Sequence, residues 1–403
     1  MSNLPKGWSL VELNEICNIN MGQSPKSESY NENNIGLPLI QGNADIKNRK
    51  TLPRTYTSDI TKKCKIGDII MTVRAPVGAI AKSYHNACIG RGVCSITPKE
   101  NNDFLYHFLV GYEDKWDKLS QGSTFTAVNG NDIKKIKLPL PPLEEQKKIA
   151  DILSTVDKKI AFVEENINVT EELKKGLMQK LLTEGIGHTE FKDSELGRIP
   201  QGWELKTLGE LVFILTDYTA NGSFASLKEN VTYFNEPNFA ALVRTTDLKK
   251  KEFKPERFTD KRGYEFLKKS ALYGGEILMA NVGSIGEVYI VPEVDFPMTL
   301  APNMYLIKYN DNLINTYAYY FMNSSIFINQ LLSKIASTTL QAVNKANFKS
   351  IKIPLPPLEE QKKIADILST VDKKLENLKE KKQSFEELKK GLMQKLLTGE
   401  VRV

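Results

Sequence analysis

The chain is poor in the residues that carry most enzymatic chemistry. Its three histidines, His85, His107 and His188, are scattered and have no cysteine or carboxylate pattern beside them, which argues against a metal site. The four cysteines, Cys17, Cys64, Cys88 and Cys94, show no CxxC spacing. That disfavours a zinc ribbon or a disulfide framework and suits a reducing cytosol. There is no GxxxxGK[ST] and therefore no ordinary P-loop for ATP. A glycine-rich cofactor fingerprint is missing too, as is the Asn/Asp-Pro-Pro-aromatic motif of amino-methyltransferases. No apolar run approaches the ~20 residues that span a bilayer. The first eight residues have no apolar core, so secretion is not expected. The charge excess is small, 55 basic against 49 acidic residues for a net +6, too weak by itself to mark a nucleic-acid binder.

What is present is enough apolar material, 41% of 403 residues, to build two or three domains with real cores. The dominant feature is an internal repeat. Residues 138–160, LPLPPLEEQKKIADILSTVDKKI, return at 353–375 with 21 of 23 positions identical. EELKKGLMQKLLT at 171–183 returns unchanged at 386–398. Both pairs share an offset of 215. PKGWSLVELNE at 5–15 echoes PQGWELKTLGE at 200–210 at an offset of 195. Each half thus has a PxGW start, a variable stretch (16–130 or 211–345), a proline-rich joint and a long polar–apolar segment. The variable stretches match only in patches. Gly67–Gly78 resembles Gly275–Gly286, and Ser123-Thr124 through Asn129 resembles Thr338-Thr339 through Asn344.

The repeated segment predicts a long helix. Pro141-Pro142 precede it, and prolines are tolerated at helix starts. Ile149, Leu153, Val156, Ile160, Val163 and Ile167 alternate four- and three-residue steps, the spacing of a coiled-coil seam. Ile364, Leu368, Val371, Leu375 and Leu378 repeat it, with Lys382 in the place of Ile167. The phase breaks before Leu173, Leu177 and Leu181, where a kink or a change of partner is expected. Gly185-Ile-Gly187 should end the first helix and Gly399 the second. Glu144-Glu145 and Glu359-Glu360 read as first-turn carboxylates favoured by the helix dipole. The variable halves read as mixed α/β, with β-like runs at 69–73 and 276–279 and short helices at 104–110 and 317–322.

A PxGW start, a variable region, IPLPPLEEQKKIADIL and a long helix, all twice over, resembles the specificity subunit of a type I restriction–modification enzyme. The resemblance covers nearly the whole chain. It implies two mixed α/β target-recognition domains, 1–137 and 196–352. The conserved segments 138–195 and 353–403 would supply two long helices forming an antiparallel coiled coil with pseudo-two-fold symmetry. Each domain would read one half of a bipartite, asymmetric double-stranded DNA site, and the paired helices would set the spacer and dock two methyltransferase subunits. Restriction–translocation subunits would join through that assembly. By the same resemblance the chain is non-catalytic and cytoplasmic, free of membrane, and binds no cofactor or metal. S-adenosylmethionine, ATP and Mg would belong to the partner subunits, and the methylated base would be adenine at N6.

Two matching rods with one apolar stripe are complementary to each other, and identical surfaces should bind one partner twice. The candidate DNA contacts are basic residues for phosphates and amide or arginine side chains for bases. Residues 47–65 carry seven basic side chains against one acid, and 244–269 carry ten against five. Both runs lie just before the matched glycine-framed strand. They nominate Lys47, Arg49, Lys50, Arg54, Lys62 and Lys63 in one half, and Lys249, Lys250 and Lys251 in the other. A solvated surface face is the competing reading. Candidate base readers are Gln41 and Asn43 after the run 37–40, Arg244 after 240–243, Arg74 and Asn281 at an offset of 207, and Arg91 and Asn303 beyond. A turn or scaffold hydrogen bond explains any single one equally well. Gly22-Gln-Ser-Pro25 is either a loop of such a domain or only a turn. Leu177, Met178, Leu181, Leu392, Met393 and Leu396 form either a partner-binding patch or part of the rods' seam.

The rival classes are an enzyme with an unfamiliar site on a variable domain and a two-headed adaptor that never touches DNA. Glu172-Leu-Lys174 and Glu252-Phe-Lys254 match the short ExK fragment of nucleases. The first lies in the helix and the second in a charge run, so neither makes a catalytic case.

Overall fold

The computed structural model describes residues 4–120, 127–335 and 342–403, with the side chains of 117–120 not described. The Ser123-Thr124 and Thr338-Thr339 matches lie outside the described residues. The chain divides into two units, Met1–Asn166 with Leu378–Val403, and Ile167–Asn377. Each unit therefore holds one variable region and part of both long helices.

The first unit carries a six-stranded sheet, in the order 17–21, 93–98, 69–72, 80–82, 50–51, 46–47. A five-stranded sheet runs 30–31, 55–57, 37–40, 87–89, 63–64. The second unit repeats the centre of both. One sheet runs 212–217, 304–309, 277–280, 288–290, and the other 258–259, 240–243, 298–300, 271–272. Most pairings are antiparallel, but 37–40 runs parallel to 87–89, 240–243 parallel to 298–300, and 80–82 parallel to 50–51. The runs expected as strands are strands, Ile69–Thr72 and Ile277–Ala280. All of their residues are buried, as expected for strands covered on both faces. The helices expected at 104–110 and 317–322 are Asn102–Ser120 and Asn315–Met322.

The PxGW start and the proline-rich joint belong to one piece of structure. Ser9–Glu12 pairs antiparallel with Lys137–Leu140, and Glu204–Thr207 with Lys352–Leu355. The next residues open the long helices, Leu143–Thr183 and Leu358–Leu396. Gln146 Nε2 donates to Pro141 O and Gln361 Nε2 to Pro356 O, both at 2.9 Å, tying each first turn back to the prolines. Gly185 and Gly399 follow the helices with φ of 67° and 76°. A Cβ at Gly399 would lie 2.4 Å from Pro5 Cγ, and one at Gly185 would lie 2.5 Å from Glu360 Oε1. Both the left-handed backbone and the close approach require glycine there.

The glutamates of the first turn do more than complement a dipole. Trp8 Nε1 donates to Glu145 Oε2 at 3.0 Å, and Trp203 Nε1 to Glu360 Oε2 at 2.9 Å. A residue beyond the end of the other long helix completes each pair. Arg402 forks onto Glu145 at 3.0 and 2.7 Å, and His188 Nε2 lies 2.8 Å from Glu360 Oε1. The Arg402 hydrogen bond holds the Glu145 carboxyl below its ordinary range.

The long helices run antiparallel within each unit. In the first, Lys389 meets Asp157 at 2.5 Å and Lys382 meets Glu164 at 3.0 Å, so residue numbers rise along one helix as they fall along the other. In the second, Lys174 meets Asp372 at 2.6 Å while the Ile186 backbone N–H donates to Glu360. Lys174 and Lys389 are repeat mates, as are Asp157 and Asp372. Each is used reciprocally, which is one physical reason for the identity of these polar positions.

The seam residues Ile149, Leu153, Val156, Val163, Ile167, Ile364, Leu368 and Leu375 are buried. At the phase break Leu173 and Leu388 turn outward, each 49% exposed. Beyond it the helix changes partner. Leu181 and Leu182 enter the second unit's core with Trp203, Tyr317, Phe321, Ile364 and Leu368. Leu396 and Leu397 enter the first unit's core with Trp8, Phe104, Leu109, Ile149 and Leu153. Leu177 and Met178 pack against the one core, and Leu392 and Met393 against the other. The six apolar side chains nominated as a partner patch are thus engaged within their own units.

The variable domains dock on a repeated socket. His107, fully buried, places Nε2 3.1 Å from Ser154 Oγ, with Nδ1 3.8 Å from Asp157. Tyr320 OH contacts Ser369 at 3.2 Å and donates to Asp372 at 2.9 Å. Burial lowers His107 from 6.5 to about 4, outweighing the attraction of Asp157, so the imidazole is neutral at pH 7.

Two outcomes are expected from this arrangement. Glu145→Ala strands the Trp8 indole and should cost about 2 kcal/mol in urea unfolding, more than Arg402→Ala, whose guanidinium is half exposed. On acidification, the unfolded chain protonates His107 near 6.5 while the folded chain resists until about 4. Stability should therefore fall through that window by on the order of 2–3 kcal/mol. His107→Gln, which does not titrate, should lack that component when the two pH profiles are subtracted.

Candidate nucleic-acid interface

Two structural devices build the same feature in each unit. The first is the parallel strand pair already described. Gly90 N donates to Ile40 O, and Ala301 N to Val243 O, so Gln41 and Arg244 leave equivalent strand ends. The second is a buried aspartate just beyond, Asp45 or Asp247, which accepts from the backbone N–H of Gln41 (2.8 Å) or Arg244 (3.0 Å). It fixes the chain's exit from the sheet through a single helical turn, a 3-10 turn at Asn43–Asp45 and an α-helical turn at Thr245–Leu248.

In the first unit these devices open a cleft of about 180 Å³ lined by Ser24, Gln41, Gly42, Asn43, Arg74, Ala75, Arg91 and Gly92. Four residues nominated separately from the sequence therefore converge. Glycines permit the convergence. A Cβ at Gly92 would lie 2.1 Å from Gln41 O, and one at Gly22 would lie 2.2 Å from Gly90 O. The Gly22–Pro25 loop is consequently a wall of the cleft. Gln23 N donates to Ile89 O, and Arg91 N donates to Ser24 Oγ at 3.2 Å. Ser24 has no strong signal in the sequence; only its loop stands out.

The second unit's counterpart differs. Gly78 N bonds to Thr72 O and Gly286 N to Ala280 O, which sets the structural offset at 208. Arg74 bridges Ala127, and Val282 bridges Ala342. Arg74 therefore corresponds to Val282, not to Asn281. Val73 N bonds to Gly92 O and Asn281 N to Asn303 O, so Arg91 corresponds to Pro302. Asn281 Oδ1 is buried, beside Tyr305, with no hydrogen-bond partner among the described residues. Its backbone serves as scaffold. Asn303 is exposed, with φ of 71°.

The basic candidates fall into two groups. Arg49 forks onto Glu113 at 2.6 and 2.9 Å and also donates to Ile80 O, closing its own domain. Arg54 holds Asp45 at 3.1 Å, and Lys50 lies 5.0 Å over the Tyr84 ring. Arg244 is held by Asp247 and Glu256, Lys249 by Glu287, and Lys250 by Glu256. Lys251 is engaged as well. By contrast Lys47, Lys62 and Lys63 are exposed and, like the Arg74 and Arg91 guanidiniums, have no side-chain partner among the described residues. The free cationic surface is thus concentrated in the first unit's candidates.

All four cysteines are buried, and burial pushes the Cys17 and Cys94 thiols up to about 12. Among the described residues no group of three or more His, Cys, Asp and Glu side chains is placed to hold a metal ion, and no helix is long and apolar enough to cross a membrane.

Comparison with known proteins identifies the architecture. A family model described as the type I restriction modification DNA specificity domain matches twice, at residues 5–172 and 200–387. A putative type I restriction enzyme MjaX specificity subunit of Methanocaldococcus jannaschii is 29% identical over all of this chain and 96% of its own length. The MjaVIII specificity subunit of the same organism is 32% identical over 74% of this chain and 70% of its own. Among solved structures, the S subunit of a type I restriction–modification system from M. genitalium superposes with a TM-score of 0.60 at 16% identity, covering 98% of this chain and 97% of that one. A chain from work on complex assembly and conformational transition of a type I R-M system gives 0.59 at 20% identity, with both chains fully covered. At these identities the two structures speak for the fold. The two matched domains, which span most of the sequence, place this chain in the type I restriction–modification DNA specificity family.

Proposed function

We propose that the chain is the non-catalytic, sequence-specific DNA-binding subunit of a type I restriction–modification system. The observation that carries this reading is a repeated scaffold, with its junctions and sockets preserved, whose equivalent strand ends carry different side chains in the two units. Domain 1–137 reads one half of a bipartite, asymmetric site and domain 196–352 reads the other. The paired segments of 138–195 and 353–403 fix the unread spacer. Their exposed, duplicated faces dock two methyltransferase subunits, through which restriction–translocation subunits join. S-adenosylmethionine, ATP and Mg act on those partners, with adenine N6 the methylated position, and the assembly works in the cytoplasm.

Lysines and arginines at phosphates supply the non-specific part of the affinity, and each phosphate contact adds about 0.9 to the slope of log affinity against log salt. The partners of Arg244, Lys249 and Lys250 discount those residues, while Lys47, Lys62 and Lys63 stand unencumbered. Replacing the latter three by alanine should flatten the salt slope of the purified full chain by about 2–3 in a filter-binding titration if all three touch phosphates. A flat titration by the unaltered chain would instead favour the adaptor reading.

The modular part is tested by exchanging residues 16–130 for those of another family member. Methylome sequencing of a host carrying the hybrid with its methyltransferase should then show one half of the site changed, the other half and the gap retained. A change in both halves defeats the assignment. Product formation by the purified chain alone, given DNA, Mg²⁺ and S-adenosylmethionine, would favour an enzyme.

A further inference from the structure

The first unit's cleft offers a ligand two guanidiniums, two amides and a hydroxyl, and no lysine lines it. That composition separates it from a phosphate-tracking surface. A lysine ammonium is a mobile point charge that suits phosphate, whereas an arginine fork matches the O6 and N7 acceptors that guanine shows in the major groove. Arg74 and Arg91 remain available for such a contact, because no side chain among the described residues pairs with either. Backbone bonds anchor both, Arg74 through its bridge to Ala127 and Arg91 through Ser24 Oγ. Their equivalents in the second unit, Val282 and Pro302, have no side-chain donor. The arginine at the second unit's equivalent strand end, Arg244, is already held by Asp247 and Glu256.

We propose that Arg74 and Arg91 are specificity-determining residues, each reading a guanine through its major-groove edge. The half-site read by domain 1–137 then contains guanine at these contacts, and the half read by domain 196–352 takes no guanine contact from the matching positions. This rests on the DNA-reading function proposed above and names the bases that the first unit's cleft selects.

The test uses the full chain assembled with its methyltransferase, bound to duplexes carrying the site that methylome sequencing reports. Guanines are replaced one at a time by 7-deazaguanine, which removes N7 and leaves the phosphates in place. The unaltered assembly should lose about five- to a hundred-fold in affinity at the contacted guanines of one half-site. Arg74→Met and Arg91→Met remove the fork and every donor it could offer to N7. Each should become insensitive to 7-deazaguanine at one position of that half while keeping the salt slope and full discrimination in the other half. Variants as sensitive as the unaltered assembly, or weakened equally on every duplex, would overturn the assignment and mark the arginines as phosphate or scaffold contacts. Loss of preference at every position of the half would overturn it too, since a base reader governs its own base pair. Indifference of the unaltered assembly to sequence in both halves would remove the DNA-reading function itself.

Discussion

A carboxylate at the start of each long helix, buried at Glu145 and partly buried at Glu360, is the constraint around which the rest is arranged. Glu145 and Glu360 sit where the first strand of a repeat, its proline-rich joint and its helix meet, and they are largely withdrawn from water. A charge in that position is tolerated only if it is paired and hydrogen-bonded. The indole of Trp8 or Trp203 supplies one bond from within the repeat, and Arg402 or His188 supplies the second from beyond the end of the other helix. Each junction thus registers three separate stretches of chain at once. The glycines that follow the helices are part of it, because no Cβ fits between Gly399 and Pro5 or between Gly185 and Glu360.

This constraint explains which parts of the sequence are doubled. PxGW, the paired prolines, Glu-Glu-Gln and the helix-end glycines all touch a junction. The reciprocal Lys–Asp pairs carry the same logic along the helices, since a lysine from one copy must find an aspartate from the other in both directions. Residues that line the first unit's cleft touch none of these contacts, and Arg74 and Arg91 differ from their counterparts Val282 and Pro302. Positions such as Lys175 and Lys390 are identical too, and they point to solvent, where the partner docking proposed above would act.

Much of the framework was legible because periodicity and repetition are local signals. The helix bounds, the seam and the change of partner after Ile167 all follow from apolar spacing and glycine placement. The partners that close the junctions were not legible. Arg402 and His188 occupy non-matching sequence beyond the helices, and nothing in either tail signals a carboxylate distant along the chain. The cleft was half legible. Residue type and strand-end position nominated Gln41, Asn43, Arg74 and Arg91 one by one, but their convergence depends on the parallel pairing of 37–40 with 87–89 and on clearance at Gly92. Neither has a sequence period. The charge runs misled where acids sat in the same run, as Asp247 and Glu256 do, because composition counts charges without showing which of them neutralise one another. The 207 offset paired Arg74 with Asn281, whereas the backbone bridges pair it with Val282.

The docking sockets show how one scaffold accepts dissimilar domains. Ser154 with Asp157, and Ser369 with Asp372, offer the same hydroxyl and carboxylate in each repeat. One domain meets the socket with a neutral imidazole and the other with a phenol, both able to hydrogen-bond a hydroxyl. Neither contact requires a particular cleft sequence, and each aspartate is already held by a lysine from the opposite helix. A recognition domain therefore needs only an apolar helix face and one hydrogen-bonding side chain at the right turn to seat itself. Everything beyond the sheet ends is then free to vary without disturbing the paired helices, which is the physical condition for two domains of one fold to diverge on a common support.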